Sequence, residues 1–362
     1  MQTSAGHGFL PRAPRRPLHA MAAIACGVLM GWLCLADRAI AATADAVAPP
    51  GSFAEQSRVL ERANAAVVGL RTLAVEGARS AGTLGPAREG SGVVIDEDGT
   101  VLTIGYLILE AEQVQIVFDE ERVLPARVLA YDTATGFGLV KPLAPLRLPH
   151  VAFGTPARTT TQEPLMISSG GPDGTVSAAR LLSRRSFAGY WEYHIDGALF
   201  TSPPHPNHSG AALFNGRGEL LGIGSLRVAD AFGPGHPNVP GNMFVPVDLL
   251  LPILPELRER GVSAASRRAW LGINCVEVDG EVRVARVSED SPADVAGVAR
   301  GDRIVRIDGT EVTTLETLWK SLWSGGAAER EVTLEVRRGN EVQALKLQSV
   351  DRMKTLRHAR GI

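Results

Sequence analysis

Ser209 is the residue with the clearest capacity for chemistry, and it lies in the short stretch Asn207-His208-Ser209-Gly210-Ala211. A serine hydroxyl is a weak nucleophile at neutral pH. It needs a neighbouring base, and that base needs a third group to hold its tautomer and orientation. The first question is therefore which side chains of this sequence could activate Ser209.

Four histidines are candidates for that base: His194, His205, His208 and His236. His208 is adjacent to the serine, so its side chain is expected to point away, and the other three would need loop rearrangement. His205 and His208 also allow a metal hypothesis, because imidazoles at positions i and i+3 can share an ion. Their proline-rich surroundings give that spacing no helical support, so solvated histidines are the simpler interpretation. We expect no metal and no cofactor.

The composition is that of an ordinary globular protein. The chain has 362 residues, 45% of them hydrophobic, and a formal net charge of -2. This length allows two or three domains with separate cores. A near-neutral charge argues against nucleic acid as a partner, which usually requires a basic face.

The first 41 residues have the pattern of a secretory signal peptide. Three arginines precede an apolar run at 20–36, which is followed by Ala39-Ile40-Ala41. A positive flank, a short apolar core and small residues at the cleavage site define such signals. The alternative is an uncleaved inner-membrane anchor, because the run is near the lower length limit for a membrane span. Two of the three cysteines lie here, so Cys275 remains alone and no intramolecular disulfide is expected in the mature chain.

The rest of the chain divides by pattern into several segments. Residues 42–68 are predicted to be a linker followed by an N-terminal helical segment from residue 53. Between 69 and 262, many short apolar runs separated by Gly, Pro and Asp predict antiparallel barrels, closed by a helix near 247–260. Residues 263–268 are predicted to be a hinge into a second domain that extends from 263 to 350, and residues 351–362 a frayed basic tail.

A strand and turn near residue 90 give the first family resemblance. Gly90-Ser91-Gly92-Val93-Val94-Ile95-Asp96-Glu97-Asp98-Gly99 resembles the G-S-G-V-I-I-D-x-x-G segment of the HtrA/Deg family of trypsin-like serine proteases. The resemblance covers roughly residues 53–350. It implies a mostly β fold, with a double six-stranded antiparallel β-barrel (chymotrypsin-like) followed by one PDZ domain (α+β).

The resemblance also implies that two catalytic side chains are replaced. The family reads T-N-x-H-V-V at its general base, and this chain reads Thr103-Ile104-Gly105-Tyr106-Leu107-Ile108. The family's carboxylate segment, D-x-x-x-D-L-A-V-L-K, corresponds to residues 132–141 and places Gly136 at the catalytic aspartate. A phenol has the wrong pKa and the wrong shape to accept and return a proton as imidazole does.

The serine loop keeps the nucleophile and changes its surroundings. Residues 207–213 match the family's G-N-S-G-G-P-L, with Ser209 at the nucleophile position. Asn207 replaces the glycine whose amide helps to form the oxyanion hole, and His208 follows it. Asparagine can still donate its amide where it tolerates the required backbone angles. The simplest interpretation of Ser209 is a turn serine retained for its backbone role.

The second domain carries the more specific signal. Residues 291–309 match the PDZ pattern S-P-A-x-x-A-G-L-x-x-G-D-x-I-x-x-I-x-G, with Ser291 as a helix N-cap. In the family this domain binds an extended C-terminal peptide as an added strand. The carboxylate loop is predicted at Trp270-Leu271-Gly272-Ile273. On the groove helix, Leu318 and Leu322 are predicted to face the peptide, with a core stripe as the alternative.

The sequence therefore predicts an exported, periplasmic pseudoprotease that binds C-terminal or unfolded peptides as an adaptor or chaperone-like scaffold. One alternative is an active HtrA-type serine endopeptidase of protein quality control, with Ser209 served by a rewired base. Another is a subunit that forms homotrimers or assembles with active relatives, because the family associates through the segment corresponding to residues 53–68. No nucleic acid is expected, and membrane contact is expected only through an uncleaved N-terminal segment.

Overall fold

The computed structural model describes residues 53–119 and 122–357. The predicted signal peptide or anchor lies outside this range, as do the linker before residue 53 and the last five residues of the tail. No helix in the described part of the chain is both long and apolar enough to cross a membrane.

The first barrel is a closed antiparallel sheet of six strands in the order β1-β2-β3-β6-β5-β4. In some of its strands buried and exposed residues alternate, and in others the buried residues are continuous. Phe137 and Leu139 are fully buried in the interior. The strands are β1 (Val67–Ala74), β2 (Ala87–Val94), β3 (Val101–Ile104), β4 (Ala111–Val117), β5 (Val123–Tyr131) and β6 (Phe137–Pro142), with a short helix α2 (Ala81–Leu84) between β1 and β2.

The second barrel is also closed, in the order β10-β11-β12-β9-β8-β7. Phe200, Phe214 and Phe244 are fully buried within it. Its strands are β7 (Pro164–Ser168), β8 (Val176–Gly189), β9 (Tyr193–Ser202), β10 (Ala212–Phe214), β11 (Leu220–Val228) and β12 (Gly241–Pro246). The hairpin of β8 and β9 is much longer than its neighbours, so its tip at residues 190–192 reaches beyond the barrel.

The region predicted as the second domain follows the two barrels and is called the third domain from here on. It is α+β and has its own core, in which Trp319 is fully buried. Its main sheet runs β14-β15-β16-β18-β19, with β17 paired to β16. A two-stranded sheet of β13 and β20 closes the domain. The elements are β13 (Ala269–Trp270), β14 (Ile273–Val278), β15 (Glu281–Val287), α4 (Pro292–Val295), β16 (Arg303–Ile307), β17 (Thr310–Glu311), α5 (Leu315–Ser324), β18 (Glu331–Arg338), β19 (Glu341–Gln348) and β20 (Val350–Asp351).

This architecture confirms the predicted mostly β fold of two six-stranded barrels followed by an α+β domain. Local sequence explains the start of α4, where the Ser291 side chain accepts a hydrogen bond from the amide of Asp294 and proline occupies the first helical turn. The predicted helix at 247–260 is shorter: a 3₁₀ turn at Val247–Leu249 precedes α3 (Leu254–Arg260).

The N-terminal helix α1 (Phe53–Asn64) ends before the predicted helical segment does. Residues 67 and 68 instead begin β1, because they pair with β2 and enter the barrel core. The helix rests on the second barrel: Gln56 donates a hydrogen bond to the carbonyl of Gly216 at 3.3 Å, and Ser168 donates to Asn64 at 2.6 Å.

The segment predicted to be a hinge is anchored to the first barrel. Ser263 and Ser266 are both buried, and their hydroxyls donate hydrogen bonds to one carboxylate oxygen of Asp132. Thr133 donates its amide to Ser266 Oγ at 3.0 Å and its hydroxyl to the Ser266 carbonyl at 2.7 Å. The serines look flexible in sequence, but a buried carboxylate distant in sequence fixes them.

The start of the predicted frayed tail is likewise ordered against the rest of the chain. Residues Arg352–Thr355 form a 3₁₀ turn, capped by the Asp351 side chain. The guanidinium of Arg352 donates to the carbonyl of Glu192 at 2.9 Å, and the amide of Arg357 donates to Glu110 at 2.8 Å. Long-range partners of this kind leave no local sequence pattern.

Candidate functional site

Ser209 lies between the two barrels, in a loop held by backbone hydrogen bonds from both sides. The Ser209 carbonyl accepts from the amide of Ser91 at 2.8 Å, and the amide of Gly210 donates to the carbonyl of Gly224 at 2.9 Å. The loop borders a cleft of about 220 Å³ that is also lined by Gly90, Gly170 and Asn207. The backbone therefore presents Ser209 to a cavity.

Tyr106, on the 3₁₀ turn Gly105–Leu107, provides the group next to the Ser209 hydroxyl. Its phenol donates a hydrogen bond to the carbonyl of Ser225 at 2.9 Å, and the Ser209 side chain lies close enough to lower the phenol pKa, an effect that burial outweighs. Because the phenol proton is used on Ser225, Tyr106 has only the lone pairs of its oxygen to offer the serine hydroxyl. Burial raises the pKa of Tyr106 to about 12.

A neutral phenol oxygen cannot act as a general base for that hydroxyl. At pH 7 a group with this pKa is ionised in only about one molecule in 100,000. The group beside Ser209 is thus a weak acceptor that cannot take its proton, unlike the imidazole that activates a serine nucleophile.

Gly136 lies next to the turn that carries Tyr106, and its carbonyl accepts a hydrogen bond from the amide of Gly105 at 2.6 Å. Its φ is +79°, and a Cβ added there would lie 2.9 Å from the hydroxyl oxygen of Tyr193. Tyr193 is held in place because it donates to the carbonyl of Thr135 at 2.7 Å. The space into which a side chain at 136 would extend is therefore filled by a phenol.

Asp132, the nearest carboxylate in the sequence, is engaged elsewhere. It is fully buried and accepts hydrogen bonds from the amide of Thr135 at 2.8 Å and its hydroxyl at 2.5 Å, in addition to those from Ser263 and Ser266. All of these donors belong to the turn after β5 or to the segment 263–268 that was predicted to be a hinge. Asp132 therefore anchors that segment, and its hydrogen bonds do not orient a base.

The histidines considered from the sequence have their contacts away from the Ser209 hydroxyl. His205 is buried with its two ring nitrogens 2.8 Å from Ser177 Oγ and 3.1 Å from Ser169 Oγ, and burial lowers its pKa. His208 Nδ1 lies 3.2 Å from the carbonyl of Pro206, and the ring of His236 lies near Phe232. His194 lies beside Glu316 of the third domain at 3.3 Å.

In the loop predicted to form the oxyanion hole, the side chain of Asn207 donates to the carbonyl of Asp173 at 2.9 Å. Among the described residues, Asn207 is not one of those with a positive φ. The asparagine therefore stiffens the loop through its side chain, and its backbone needs no conformation reserved for glycine.

The loop predicted to hold a terminal carboxylate, at residues 270–273, surrounds a carboxylate of the same chain. The amides of Leu271, Gly272 and Ile273 all donate to the side chain of Glu192, over 2.7–3.1 Å. Gly272 has a φ of +84°, which turns the three amides toward one point. Glu192 is almost fully buried, and this burial raises its pKa to about 7.

The tip of the β8–β9 hairpin, residues 190–192, and the last residue of β8, Gly189, together form a segment that we call the inserted turn (residues 189–192). It runs along β14, where the amide of Cys275 donates to the carbonyl of Tyr190 at 2.7 Å and Trp191 bridges to Asn274 in antiparallel fashion. From α5, the indole of Trp319 donates to the carbonyl of Gly189 at 2.9 Å. The turn thus lies between β14 and α5.

The two leucines predicted to face a peptide are fully buried in the core of the third domain. Leu318 and Leu322 lie on the same helix as Trp319, and it is Trp319 that forms the hydrogen bond to the inserted turn. Trp270 pairs with Val350 in the small sheet next to the loop and is partly exposed.

One grouping of metal-type ligands occurs within the described ranges, at His194, Asp196 and Glu316. The ammonium of Lys320 lies 2.6 Å from Glu316 and 3.5 Å from Asp196, so a cation of the protein already neutralises the acidic pair. Together these residues form an ion-pair network between β9 and α5.

Sequence reasoning missed Glu192, Tyr193 and Arg352. The available signal for the first two was the aromatic cluster Tyr190-Trp191-Glu192-Tyr193 at the end of a polar strand. Its rings stack closely, with Trp191 and Tyr193 centroids 5.4 Å apart at an interplanar angle of 12°. An aromatic cluster at a hairpin tip indicates contact with another surface.

Comparison with known proteins agrees with this domain order. The Trypsin-like peptidase domain family matches residues 90–223, and the PDZ domain family matches residues 269–348. A Hahella chejuensis protein named as a DegP-like periplasmic serine endoprotease is 27% identical over 269 residues, which is 70% of this chain and 55% of that protein. HhoA, named as a serine protease of Synechocystis sp., is 27% identical over 73% of this chain and 71% of its own length. The chain thus spans about half the length of the first of these relatives.

Solved structures share the fold. The HtrA-type protease AlgW with a decapeptide superposes with a TM-score of 0.51 and 20% identity, covering 82% of this chain and 98% of AlgW. A serine endoprotease from Yersinia pestis gives a TM-score of 0.50 and 22% identity over 83% of this chain and 98% of its own. At these identities the likeness concerns the fold.

Proposed function

The chain belongs to the HtrA/Deg family, which joins a trypsin-like domain to a PDZ domain, and on this premise we propose that it is an exported pseudoprotease that binds peptides. Its ligands are polypeptide C-termini or unfolded chains, which it holds as an adaptor or chaperone-like scaffold. The periplasm is the proposed compartment, in keeping with relatives that are named periplasmic. Residues 1–41 direct export as a cleaved signal peptide or, as the alternative, an inner-membrane anchor.

The observation that carries this proposal is the position of Tyr106 beside Ser209, with the phenol proton donated to the Ser225 carbonyl. In a working site the serine hydroxyl donates to a neutral imidazole, which takes the proton as the new bond forms. Here the group beside the serine is a neutral phenol whose own proton is bound to the Ser225 carbonyl. Loss of the base and of the orienting carboxylate typically leaves only the residual catalysis of binding and the oxyanion hole.

Peptide binding is supported by the third domain. Three converging amides at residues 271–273 form an anion site, and β14 is an edge strand of its sheet, the position at which a strand is added. Strand addition with capture of a terminal carboxylate is a general mode of peptide recognition. AlgW, a structural neighbour, is described in complex with peptides. Self-assembly into a homotrimer, or assembly with active relatives, is proposed through residues 53–68, where Phe53 is exposed.

Casein turnover tests the proposal. The purified mature protein and its Ser209→Ala variant are incubated with unfolded casein, and new peptide termini are identified by mass spectrometry. We expect casein to be retained by the protein and the two samples to contain the same termini. Termini that appear only with the unmodified protein would establish the alternative, an active endopeptidase with a rewired base.

A further inference from the structure

The anion site at residues 271–273 is occupied by a group with the same chemistry as a peptide terminus. Both oxygens of the Glu192 side chain accept backbone hydrogen bonds, and Oε1 alone receives three, at 2.7–3.1 Å. A terminal carboxylate requires the same convergent amides. Hydrogen bonds from amides to an ionised carboxylate are stronger than the same bonds to a neutral acceptor.

The backbone of the inserted turn completes the likeness to a bound peptide. A peptide added to β14 must run antiparallel to it, with its carboxyl end at the loop. The turn does so: the bond from Cys275 to Tyr190 and the bridge from Asn274 to Trp191 lead in order toward Ile273 and Glu192. Trp319 contacts the turn from the opposite side, as the groove helix would contact a peptide.

An internal segment has no terminal carboxylate to offer. The chain continues from residue 192 directly into β9, so the main-chain carbonyl of Glu192 is an ordinary amide oxygen, bonded to Arg352 at 2.9 Å. A glutamate side chain supplies the missing carboxyl group, with both acceptor oxygens, at the required end of the strand. This explains why an acidic residue is buried at a hairpin tip, where burial without partners would be costly.

We propose that the inserted turn is a built-in ligand of the peptide groove, with the side chain of Glu192 in place of a terminal carboxylate, so that peptides with free C-termini bind only after the turn has left. The inference rests on the proposed peptide-binding function. This proposal limits the peptide ligands to chains that have a free terminal carboxylate and an apolar last residue, because the buried side chains of Leu271 and Ile273 flank the amides.

The consequence for binding is a population effect. When a groove is free in only a fraction of molecules, the apparent Kd of an outside ligand rises by the inverse of that fraction. Removing a carboxylate that accepts several charge-assisted bonds shifts such an equilibrium by about 10–100-fold. Glu192→Ala should therefore tighten peptide binding by about 10–100-fold relative to the unmodified protein, and Glu192→Gln, which keeps one carbonyl acceptor, by less.

The binding test uses a fluorescein-labelled pool of random hexapeptides ending in Val, Ile, Leu or Phe with a free carboxylate. The same pool with C-terminal amides is the negative probe. Glu341→Gln serves as the matched control, because Glu341 is exposed on β19, the strand farthest from β14. We expect fluorescence polarisation to show the order Glu192→Ala, Glu192→Gln, then the unmodified protein and Glu341→Gln together. Equal affinity of all four would overturn the built-in ligand while leaving peptide binding intact.

A second measurement needs no peptide. Hydrogen exchange at the amides of Leu271, Gly272 and Ile273 is followed by NMR in the unmodified protein and in Glu192→Gln. We expect slow exchange in the first and clearly faster exchange in the second, while amides of β16 exchange equally in both. Equal exchange at the loop refutes the built-in ligand. If the loop amides are released and no variant binds the carboxylate pool, the proposed peptide-binding function fails instead.

Discussion

Replacing Gly136 with alanine tests whether the space beside the Ser209 site is filled. Gly136 has a φ of +79°, a conformation that costs a residue with a Cβ roughly 1–2 kcal/mol. The new Cβ would lie 2.9 Å from the hydroxyl oxygen of Tyr193 and 3.4 Å from two carbons of its ring. At the first of these distances one group must move.

Tyr193 cannot move freely. It is buried, its hydroxyl donates to Thr135, and its ring stacks on Trp191. Inserting a methyl group into a well-packed core typically costs about 1–3 kcal/mol. The free energy of unfolding should therefore fall by about 2–5 kcal/mol when the backbone and contact contributions are combined.

Gly197→Ala provides the matched control. Gly197 also has a positive φ, +64°, and a Cβ added there has no atom within 4 Å. This variant should lose only the backbone contribution, roughly 1–2 kcal/mol. The difference between the two variants measures the contact with Tyr193 alone.

Urea denaturation followed by tryptophan fluorescence gives both values. The Tyr193→Phe background adds a further check, because it removes the closest atom and should reduce the cost of Gly136→Ala. If Gly136→Ala costs no more than Gly197→Ala, position 136 has room for a longer side chain, and the argument that Tyr193 fills the carboxylate position is wrong.

Two other predictions concern buried carboxylates. Asp132→Asn should lower the free energy of unfolding by about 2–4 kcal/mol, because an amide keeps one acceptor oxygen and turns an NH2 group toward either the two serine hydroxyls or the Thr135 donors. Exposed Asp98→Asn should show almost no change in the same urea experiment. For Glu192, burial raises the pKa to about 7, against the opposing effects of Arg352 and the loop amides, and the nearby Cys275 thiol is neutral because its own pKa is raised. The folded protein then binds a proton at the Glu192 carboxyl group more tightly than the unfolded chain does. The stability that this proton contributes is fully present below the ordinary glutamate pKa. The free energy of unfolding falls by roughly 3 kcal/mol as the pH rises to 7. Stability curves of the unmodified protein and Glu192→Gln should differ in slope between pH 5 and 7, and parallel curves would contradict the assignment.

The fold was predictable because its determinants are local. Turn residues and apolar runs define most barrel strands, and residues 291–309 combine an N-cap, a glycine turn and a strand in one continuous motif. The long strands β8 and β9 were not predicted. The sequence of β8 includes Arg184 and Arg185 beside Leu181, so neither an alternating nor a continuous apolar pattern is present.

The site was predictable only where a single position carries the information. Tyr106 and Gly136 could be identified by alignment with family motifs. Tyr193 fills the space beside Gly136 through a contact between residues that are 57 positions apart in the sequence, and no motif indicates it. Glu192 binds backbone amides, which have no residue identity, at a separation of about 80 residues. No spacing rule could reveal such a pair.

The most direct test of the central claim is fluorophosphonate labelling of Ser209. The mature protein and Ser209→Ala are incubated with a fluorophosphonate probe under identical conditions, and intact mass spectrometry counts the adducts. We expect no adduct above the level of the variant, because the group beside the serine is a neutral phenol that cannot take its proton. An adduct on the unmodified protein that is absent from Ser209→Ala would show that a base activates Ser209, and the pseudoprotease assignment would be wrong.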